Sequence, residues 1–211
     1  MLNIKFADGK QVSVEAGTTV YDAAAAAEAI SREVLAATVN GTLVGLTTPL
    51  TADSEITLHT LADKEGRKVF RHTASHVLAQ AVKRLYPEVK LTIGPAVDDG
   101  FYYDFDSDLP FDAAMLTAIE AEMKKIVKEN LKFSVYEKPR AEAIALMEER
   151  GEKYKVEHIG DLDDDARITF YQQGDYIDMC VGPHICYTKA LKAFKLTGVS
   201  GAYWKGDKDN K

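Results

Sequence analysis

The sequence has little cysteine: its 211 residues contain only Cys180 and Cys186, six positions apart. Two thiols this close together do not make the disulfide framework that is typical of small secreted proteins. Long apolar runs are also missing, since no stretch approaches the roughly 18 residues needed to cross a bilayer. The first residues lack the charged and apolar segments of a secretory signal. These absences predict a cytoplasmic protein with free thiols and no membrane partner.

Positive charge is scarce as well, because 26 Lys and Arg are outnumbered by 33 Asp and Glu, which leaves a formal net charge of −7. A protein built mainly to bind the backbone of nucleic acid carries the opposite excess. One basic cluster has helical spacing and lies opposite apolar residues, which favours a solvated helix face. Its members are Lys124, Lys125, Lys128 and Lys132. If the protein binds nucleic acid, we expect another domain or chain to contribute much of the affinity.

Residues 1–62 form a self-contained pattern. Alternating apolar residues flank the turn Asp8-Gly9 and predict a β-hairpin, and an alanine-rich helix is expected over 20–30. Short strands are expected around Ala37–Val39 and Ile56–His59. Two strands, a helix and further strands in this order indicate a ubiquitin-like β-grasp domain.

Residues 63–211 predict a second domain, which begins at a short polar break. Helices are expected over 66–86, 112–130 and 140–150, and strands over 90–93, 100–105, 133–137, 154–158, 168–172 and 176–179. This interspersed order favours an α+β fold with a mostly antiparallel sheet. The residues from Lys205 onward are typical of a connector and suggest a piece of a longer protein.

The candidate chemistry lies in two spaced doublets, His72-x-x-x-His76 and Cys180-x-x-x-His184. On a helix, residues four apart lie only about 40° from each other, and both histidines point away from the apolar stripe. They therefore line either an exposed face or the wall of a cleft. Asp178 shares one side of an alternating strand with Cys180, and a following turn can bring His184 back to that side. We expect all five residues to form one site.

Three kinds of chemistry remain open for this shared site. Three imidazoles and one thiolate suit tetrahedral zinc, which would activate water. Without a metal, a histidine would activate water as a general base. Cys180 could instead attack a carbonyl group and form a thioester, with His184 or another histidine as its base. The residues alone do not decide between zinc and metal-free chemistry.

Four segments carry a resemblance to a known family: RHTASHVLAQAVKRLYP at 71–87, IGPAVDDGFYYDFD at 93–106, DMCVGPH at 178–184 and FKLTGVSGAYWKGD at 194–207. In this order they resemble the N-terminal part of bacterial threonyl-tRNA synthetases. The resemblance implies a TGS domain over 1–62 and an editing domain over 63–211, which includes the start of a linker to a missing catalytic core. Editing domains of alanyl-tRNA synthetases share the doublets without a β-grasp start.

The resemblance implies an aminoacyl-tRNA deacylase that acts in post-transfer editing. It would hydrolyse the ester of seryl-tRNA(Thr) and spare threonyl-tRNA(Thr). One methyl group contributes only ~1–3 kcal/mol to discrimination in a binding pocket, so a second, hydrolytic pocket is needed. The alternatives are a zinc-dependent deacylase of the alanyl type and a non-catalytic module that binds the acceptor stem. The implied partners are a threonine-specific tRNA and the rest of the synthetase chain.

Matched position by position, the resemblance implies five catalytic residues: His72, His76, Lys155, Cys180 and His184. His72 and Lys155 would organise the hydrolytic water. Tyr103 and Asp178 would bind the substrate, the carboxylate by contacting the ammonium group of serine. No cofactor is expected to be required, and zinc held by the four doublet residues is the alternative. Valine stands at position 181, where many relatives carry arginine, which puts in doubt a tRNA contact at that position.

Overall fold

The computed structural model describes residues 1–206, so most of the predicted connector, residues 207–211, lies outside the described residues. The first domain consists of β1 (Leu2–Phe6), β2 (Gln11–Val14), α1 (Val20–Ala26), β3 (Ala36–Val39), β4 (Thr42–Val44) and β5 (Ser54–His59). Its five strands form one sheet in the order β2-β1-β5-β3-β4, in which β1 and β5 run parallel. The predicted ubiquitin-like β-grasp fold is confirmed.

The core of this domain lies between one face of the sheet and α1. Alternating residues of the strands, such as Ile4 and Ile56, are buried against Val20 and the small Ala23 and Ala24 of the helix. The helix ends at Ala26 rather than at the predicted residue 30. Glu28 adopts a left-handed backbone with φ 53°, which is incompatible with a continuing helix.

The second domain contains α2 (Lys64–Leu85), β6 (Lys90–Leu91), β7 (Ala96–Val97), β8 (Gly100–Phe101), β9 (Phe105–Asp106), α3 (Ala113–Glu129), β10 (Phe133–Glu137), α4 (Arg140–Glu149), α5 (Lys153–Asp161), β11 (Thr169–Gln173) and β12 (Tyr176–Met179). Short 3-10 turns follow at Thr188–Ala190 and Trp204–Gly206. The main sheet is antiparallel in the order β10-β11-β12. The α+β class with antiparallel sheets is confirmed, whereas the domain boundary after residue 62 stays a prediction.

Two strand predictions in this domain are wrong. Residues 154–158 lie in α5, where Tyr154, Lys155 and Ile159 are buried on one helical face. The alternation of Tyr154 and Val156 resembles a strand because a short helix offers too few turns to show its period. The strand predicted over 100–105 is divided into β8 and β9, because the chain changes pairing partner from β7 to β6.

Helix α2 is the centre of the second domain. Every residue from Thr73 through Val82 is buried, so this stretch has no solvent-exposed face. One side packs against α3, and the histidine side is covered by the main sheet and the segment that follows it. The histidines therefore do not lie on an exposed helix face: His72 is half-buried and His76 is buried, whereas the cleft stays a prediction. None of the helices within residues 1–206 has both the length and the apolarity of a membrane span.

Candidate active site

The first part of the site is one turn of α2. His72 and His76 lie on the same side of the helix with ring centroids 5.1 Å apart. His72 is half-buried, whereas His76 is almost completely buried. The helical spacing read from the sequence therefore places both rings at one site.

The second part of the site is the end of β12 and the loop that follows it. The His184 ring stacks on His72 at a centroid distance of 4.5 Å and lies 4.1 Å from His76. The Cys180 sulfur lies 2.9 Å from His72 Nε2 and 3.6 Å from His184 Nε2. One ligand atom from each of these four residues lies within 4.8 Å of the others, so the two doublets converge.

Hydrogen bonds identify which nitrogen of His184 carries the proton. The single proton of the Thr73 hydroxyl is donated to the Val69 carbonyl at 2.9 Å, and the Ile185 N–H donates to the same hydroxyl oxygen at 3.2 Å. His184 Nδ1, 3.1 Å from this oxygen, must then be the donor. The Nε2 lone pair of His184 therefore faces the Cys180 thiol.

The same reasoning applies to His72. Its Nδ1 lies 3.3 Å from the Gly94 carbonyl oxygen, which can only accept, so Nδ1 carries the proton. The Ser75 hydroxyl donates to this carbonyl at 2.6 Å and fixes its position further. The Cys180 S–H can donate to Nε2 of either His72 or His184. The Nε2 lone pair of the other histidine then stays available to accept a hydrogen bond.

Burial keeps all four groups of the doublets uncharged near neutral pH. The pKa of His72 is lowered mainly by burial, against the opposing effect of its hydrogen bond to Gly94. Burial, and then the neighbouring imidazoles, hold the pKa values of His76 and His184 well below 6.5. Burial raises the pKa of Cys180 to about 12, so this residue is a thiol. The cluster therefore contains proton acceptors and no thiolate.

A buried ion pair lies beside the histidines. Lys155 Nζ is 2.8 Å from Asp178 Oδ1, and both side chains are less than a tenth exposed. The hydroxyl groups of Tyr103 and Tyr176 donate to Asp178 Oδ2 at 2.7 and 3.2 Å. The same oxygen lies 3.9 Å from His76 Nε2, which joins the ion pair to the imidazole cluster.

All seven residues predicted for the site are thus brought together in the described structure: His72, His76, Tyr103, Lys155, Asp178, Cys180 and His184. Their individual roles stay predictions. Asp178 already pairs with Lys155 and accepts from Tyr103, so an ammonium group would have to share this carboxylate. Lys155 reaches the site from α5 rather than from the expected strand.

Several residues of the site were not identified from the sequence. Thr73 and Ser75 lie within the first doublet but have no distinctive spacing of their own. Phe133 stacks on His184 at 5.1 Å, and Tyr171 contacts the same ring edge-on at 4.5 Å. Both residues lie on strands. The alternation of a strand predicts which face a side chain is on, but not that it contacts His184. Gly182 leaves room for Tyr171, whose hydroxyl oxygen would lie 2.0 Å from a Cβ atom there.

The donor set of the doublets also fits zinc. Ligand atoms of a tetrahedral zinc site lie about 3.3–3.8 Å apart; those of this cluster lie within 4.8 Å of one another, so binding would draw them closer together. His72 and His184 each donate one ring N–H to an oxygen and direct the other nitrogen toward the cluster, as metal-binding histidines do. Binding would require the Cys180 thiol to lose its proton. These four residues would hold the ion, which would activate a water bound as a fifth ligand.

Two families match this chain. The family described as "TGS domain" matches residues 2–60, and the family described as "Threonyl and Alanyl tRNA synthetase second additional domain" matches residues 168–211. The second match includes Asp178, Cys180 and His184. The fold and the two matches define a TGS domain joined to an editing-type domain of the aminoacyl-tRNA synthetases.

The chain is similar over its whole length to bacterial threonine--tRNA ligases. It is 52% identical to the enzyme of Clostridium tetani and 51% identical to that of Clostridioides difficile, in both cases over 100% of this chain and 33% of the relative. It corresponds to the N-terminal part of these ligases, and the resemblance stated from the sequence is confirmed. The chain spans about a third of the length of the curated relatives it matches.

Proposed function

We propose that this chain is an editing deacylase that hydrolyses the serine ester of a mischarged threonine-specific tRNA and spares the threonine ester. The main support is the convergence of three uncharged imidazoles, a thiol and a buried ion pair in one cluster. Its likeness to threonine--tRNA ligases supports the choice of tRNA. The rest of the synthetase would contribute affinity for that tRNA.

The uncharged imidazoles suit general-base catalysis. A histidine with a lowered pKa is unprotonated at neutral pH and can take a proton from water as it attacks the ester carbonyl. The Cys180 thiol has only one proton for two imidazole acceptors, so one Nε2 atom is always left for a water molecule. We assign this role to the half-buried His72, in the arrangement in which the Cys180 thiol donates its proton to His184 Nε2.

The Lys155 ammonium group supplies the positive charge of the site. Its charge contributes to lowering the pKa values of His72 and His76, after the larger effect of burial, so it acts on the imidazoles. In a site with little water, such a charge stabilises a developing oxyanion strongly. Lys155 therefore holds the water with His72 and stabilises the tetrahedral intermediate, while Asp178 and Tyr103 hold Lys155.

A thioester mechanism is less well supported than attack by water. A cysteine nucleophile needs its thiolate form, and such cysteines have a lowered pKa. Burial instead raises the pKa of Cys180 to about 12. In the proposed mechanism Cys180, His76 and His184 shape the pocket and support proton transfer.

The closeness of the rings supports selection against threonine. His184 is enclosed by His72, Phe133 and Tyr171, with centroid distances of 4.5 to 5.1 Å. Rings packed in this way cannot retreat far to admit an additional methyl group. Serine would fit the pocket, whereas threonine would clash with its walls.

The decisive experiment measures deacylation of seryl-tRNA(Thr) and threonyl-tRNA(Thr) by the wild-type chain and by His72→Ala. We expect rapid loss of the serine ester alone, and a reduction of about 10²–10⁴-fold in the variant, as is typical for a general base. His158→Ala is the matched control, because His158 is exposed on α5. Equal slow loss of both esters, unchanged by His72→Ala, would contradict the proposal.

A zinc-dependent deacylase of the alanyl type is the second candidate, and the donor set supports it. Metal analysis of the protein purified without added zinc, and deacylation after chelation, distinguish the two. A stoichiometric metal together with activity lost on chelation would favour zinc. Binding of a non-hydrolysable seryl-adenosine analogue, followed by NMR, separates an intact pocket from weak affinity for the whole tRNA.

A further inference from the structure

The β-grasp domain makes a close backbone contact with the loop that carries His184. Gly45 follows β4, and a Cβ atom on this residue would lie 3.2 Å from the carbonyl oxygen of His184 and 3.8 Å from Pro183 Cβ. The backbone of Gly45 does not have a positive φ, so its lack of a side chain serves this approach rather than an unusual conformation.

Apolar contacts on both sides of Gly45 make this approach part of a larger interface. Cys186, two residues after His184, packs against the core of the β-grasp domain. In the other direction, Leu35 and Ala36 belong to the core of the second domain, and Leu43 packs against it. The two cores therefore interlock around the segment 183–186.

The opposite side of this segment is attached to α2. Thr73 Oγ1 accepts from the Ile185 N–H at 3.2 Å and from His184 Nδ1 at 3.1 Å. The segment thus lies between a helix that binds the His184 ring and a domain that contacts the His184 backbone. Neither Thr73, buried within α2, nor the backbone of β4 can move independently of its element.

We propose that Gly45 is a positioning residue: the close approach of the β-grasp domain places the loop so that His184 faces His72 and Cys180. The first domain is then a structural part of the hydrolytic site, although none of its side chains belongs to the doublets. The catalytic consequence rests on the proposed deacylase function, whereas the positioning itself does not.

The contact distances determine the size of the effect. A methyl group 3.2 Å from a carbonyl oxygen is too close for a relaxed contact, so the loop must shift by a few tenths of an ångström. The opposing atom is the backbone carbonyl oxygen of His184, so rotation of a side chain cannot relieve the clash. Since a displacement of about 1 Å reduces catalysis about 10²-fold, we expect Gly45→Ala to lower kcat about 3–30-fold.

The test compares Gly45→Ala with Gly160→Ala. A Cβ atom on Gly160 meets no neighbour within 4 Å, and its φ is not positive. The first readout is the ¹⁵N NMR spectrum of the imidazoles, assigned for His184 by comparison with His184→Gln. We expect the His184 signals to shift in Gly45→Ala and to stay in place in Gly160→Ala. In full-length synthetase, kcat for seryl-tRNA falls while KM is unchanged.

Unchanged His184 signals in a folded Gly45→Ala protein would overturn the positioning role, whatever the activity. Wild-type protein without deacylase activity would refute the proposed function, and the NMR comparison would still decide the role of Gly45. If Gly45→Ala does not fold, Leu43→Ala loosens the same interface without adding a clash. The His184 signals must then shift in Leu43→Ala, and their constancy would refute the proposal.

Discussion

At the scale of single residues, the site depends on imidazoles that burial keeps neutral. His76 and His184 lose hydration and lie next to other imidazoles, so a proton on either ring is unfavourable. His184 Nδ1 is hydrogen-bonded to the neutral hydroxyl of Thr73. The carboxylate of Asp178 lies 3.9 Å from His76 Nε2. The burial that lowers these two pKa values therefore couples folding to pH.

The first prediction concerns stability at low pH. Because the folded pKa of His76 lies below the ordinary 6.5, the unfolded chain binds more protons between these two values. The stabilising contribution is complete above about pH 6.5 and is lost as the pH falls, by up to about 1.4 kcal/mol per pH unit. Urea unfolding at pH 7.5, 6.5 and 5.5 measures this slope. His76→Gln should reduce this slope, whereas the control His158→Gln should not. A free energy of unfolding that increases on acidification would contradict the prediction.

A second prediction at this scale concerns Cys180. Since its pKa is raised to about 12, its removal should leave most of the hydrolysis intact. We expect Cys180→Ala to lower kcat for seryl-tRNA by less than about 10-fold, whereas loss of a true nucleophile costs on the order of 10³-fold or more. The measurement is single-turnover deacylation. A seryl group covalently bound to Cys180, detected by mass spectrometry of the acid-quenched wild-type protein, would contradict this prediction.

At the scale of elements, the site is formed where α2, β12 and α5 meet. Helix α2 and strand β12 could be predicted because their periods are long enough to read, and those periods place His72 beside His76 and Asp178 beside Cys180. Helix α5 could not be predicted. Lys155 is stable in a buried position only because Asp178 lies 2.8 Å away, and that partner is 23 residues distant in the sequence.

The Lys155–Asp178 pair gives a prediction for this scale. Lys155→Met leaves the buried Asp178 carboxylate without its cation and should destabilise the protein by about 3–5 kcal/mol. The double variant Lys155→Met/Asp178→Asn should cost less than Lys155→Met alone, because Tyr103 and Tyr176 can still donate to an amide oxygen. Urea unfolding of both variants and of Asp178→Asn completes the cycle. Strictly additive costs would mean that the two charges do not stabilise each other.

At the scale of the whole molecule, the fold class and the convergence of the doublets followed from the sequence, whereas the contact between the domains did not. Nothing in the local pattern of Gly45 distinguishes it from a glycine in a turn, since its neighbour is the His184 backbone in the other domain. The charges on α3 agree with the expectation of a solvated basic helix face. Lys124 and Lys125 are exposed on α3 and pair with Glu120 and Glu122.

The last prediction uses the exposed residue between Cys180 and Gly182. Val181 is 88% exposed, so an arginine there would project from the rim of the site without disturbing the packing around it. If the 3′ end of a tRNA enters at this rim, Val181→Arg should lower KM and steepen its dependence on salt by about 0.7–0.9 per phosphate contacted. KM measured between about 50 and 200 mM salt tests this. Val135→Arg, at a half-exposed position on β10, is the control, and equal effects of both would show only a general gain from charge.

The hydrogen bond between His72 and Cys180 joins residues 108 positions apart, which has a consequence for the newly made chain. At a translation rate of about 5–20 residues per second, roughly 5–22 s pass between the synthesis of these two residues. Domains made first generally fold first, so the β-grasp domain is complete before the loop with His184 leaves the ribosome. The loop then arrives at a surface that already exists, and the cluster of His72, Cys180 and His184 forms only at this docking step.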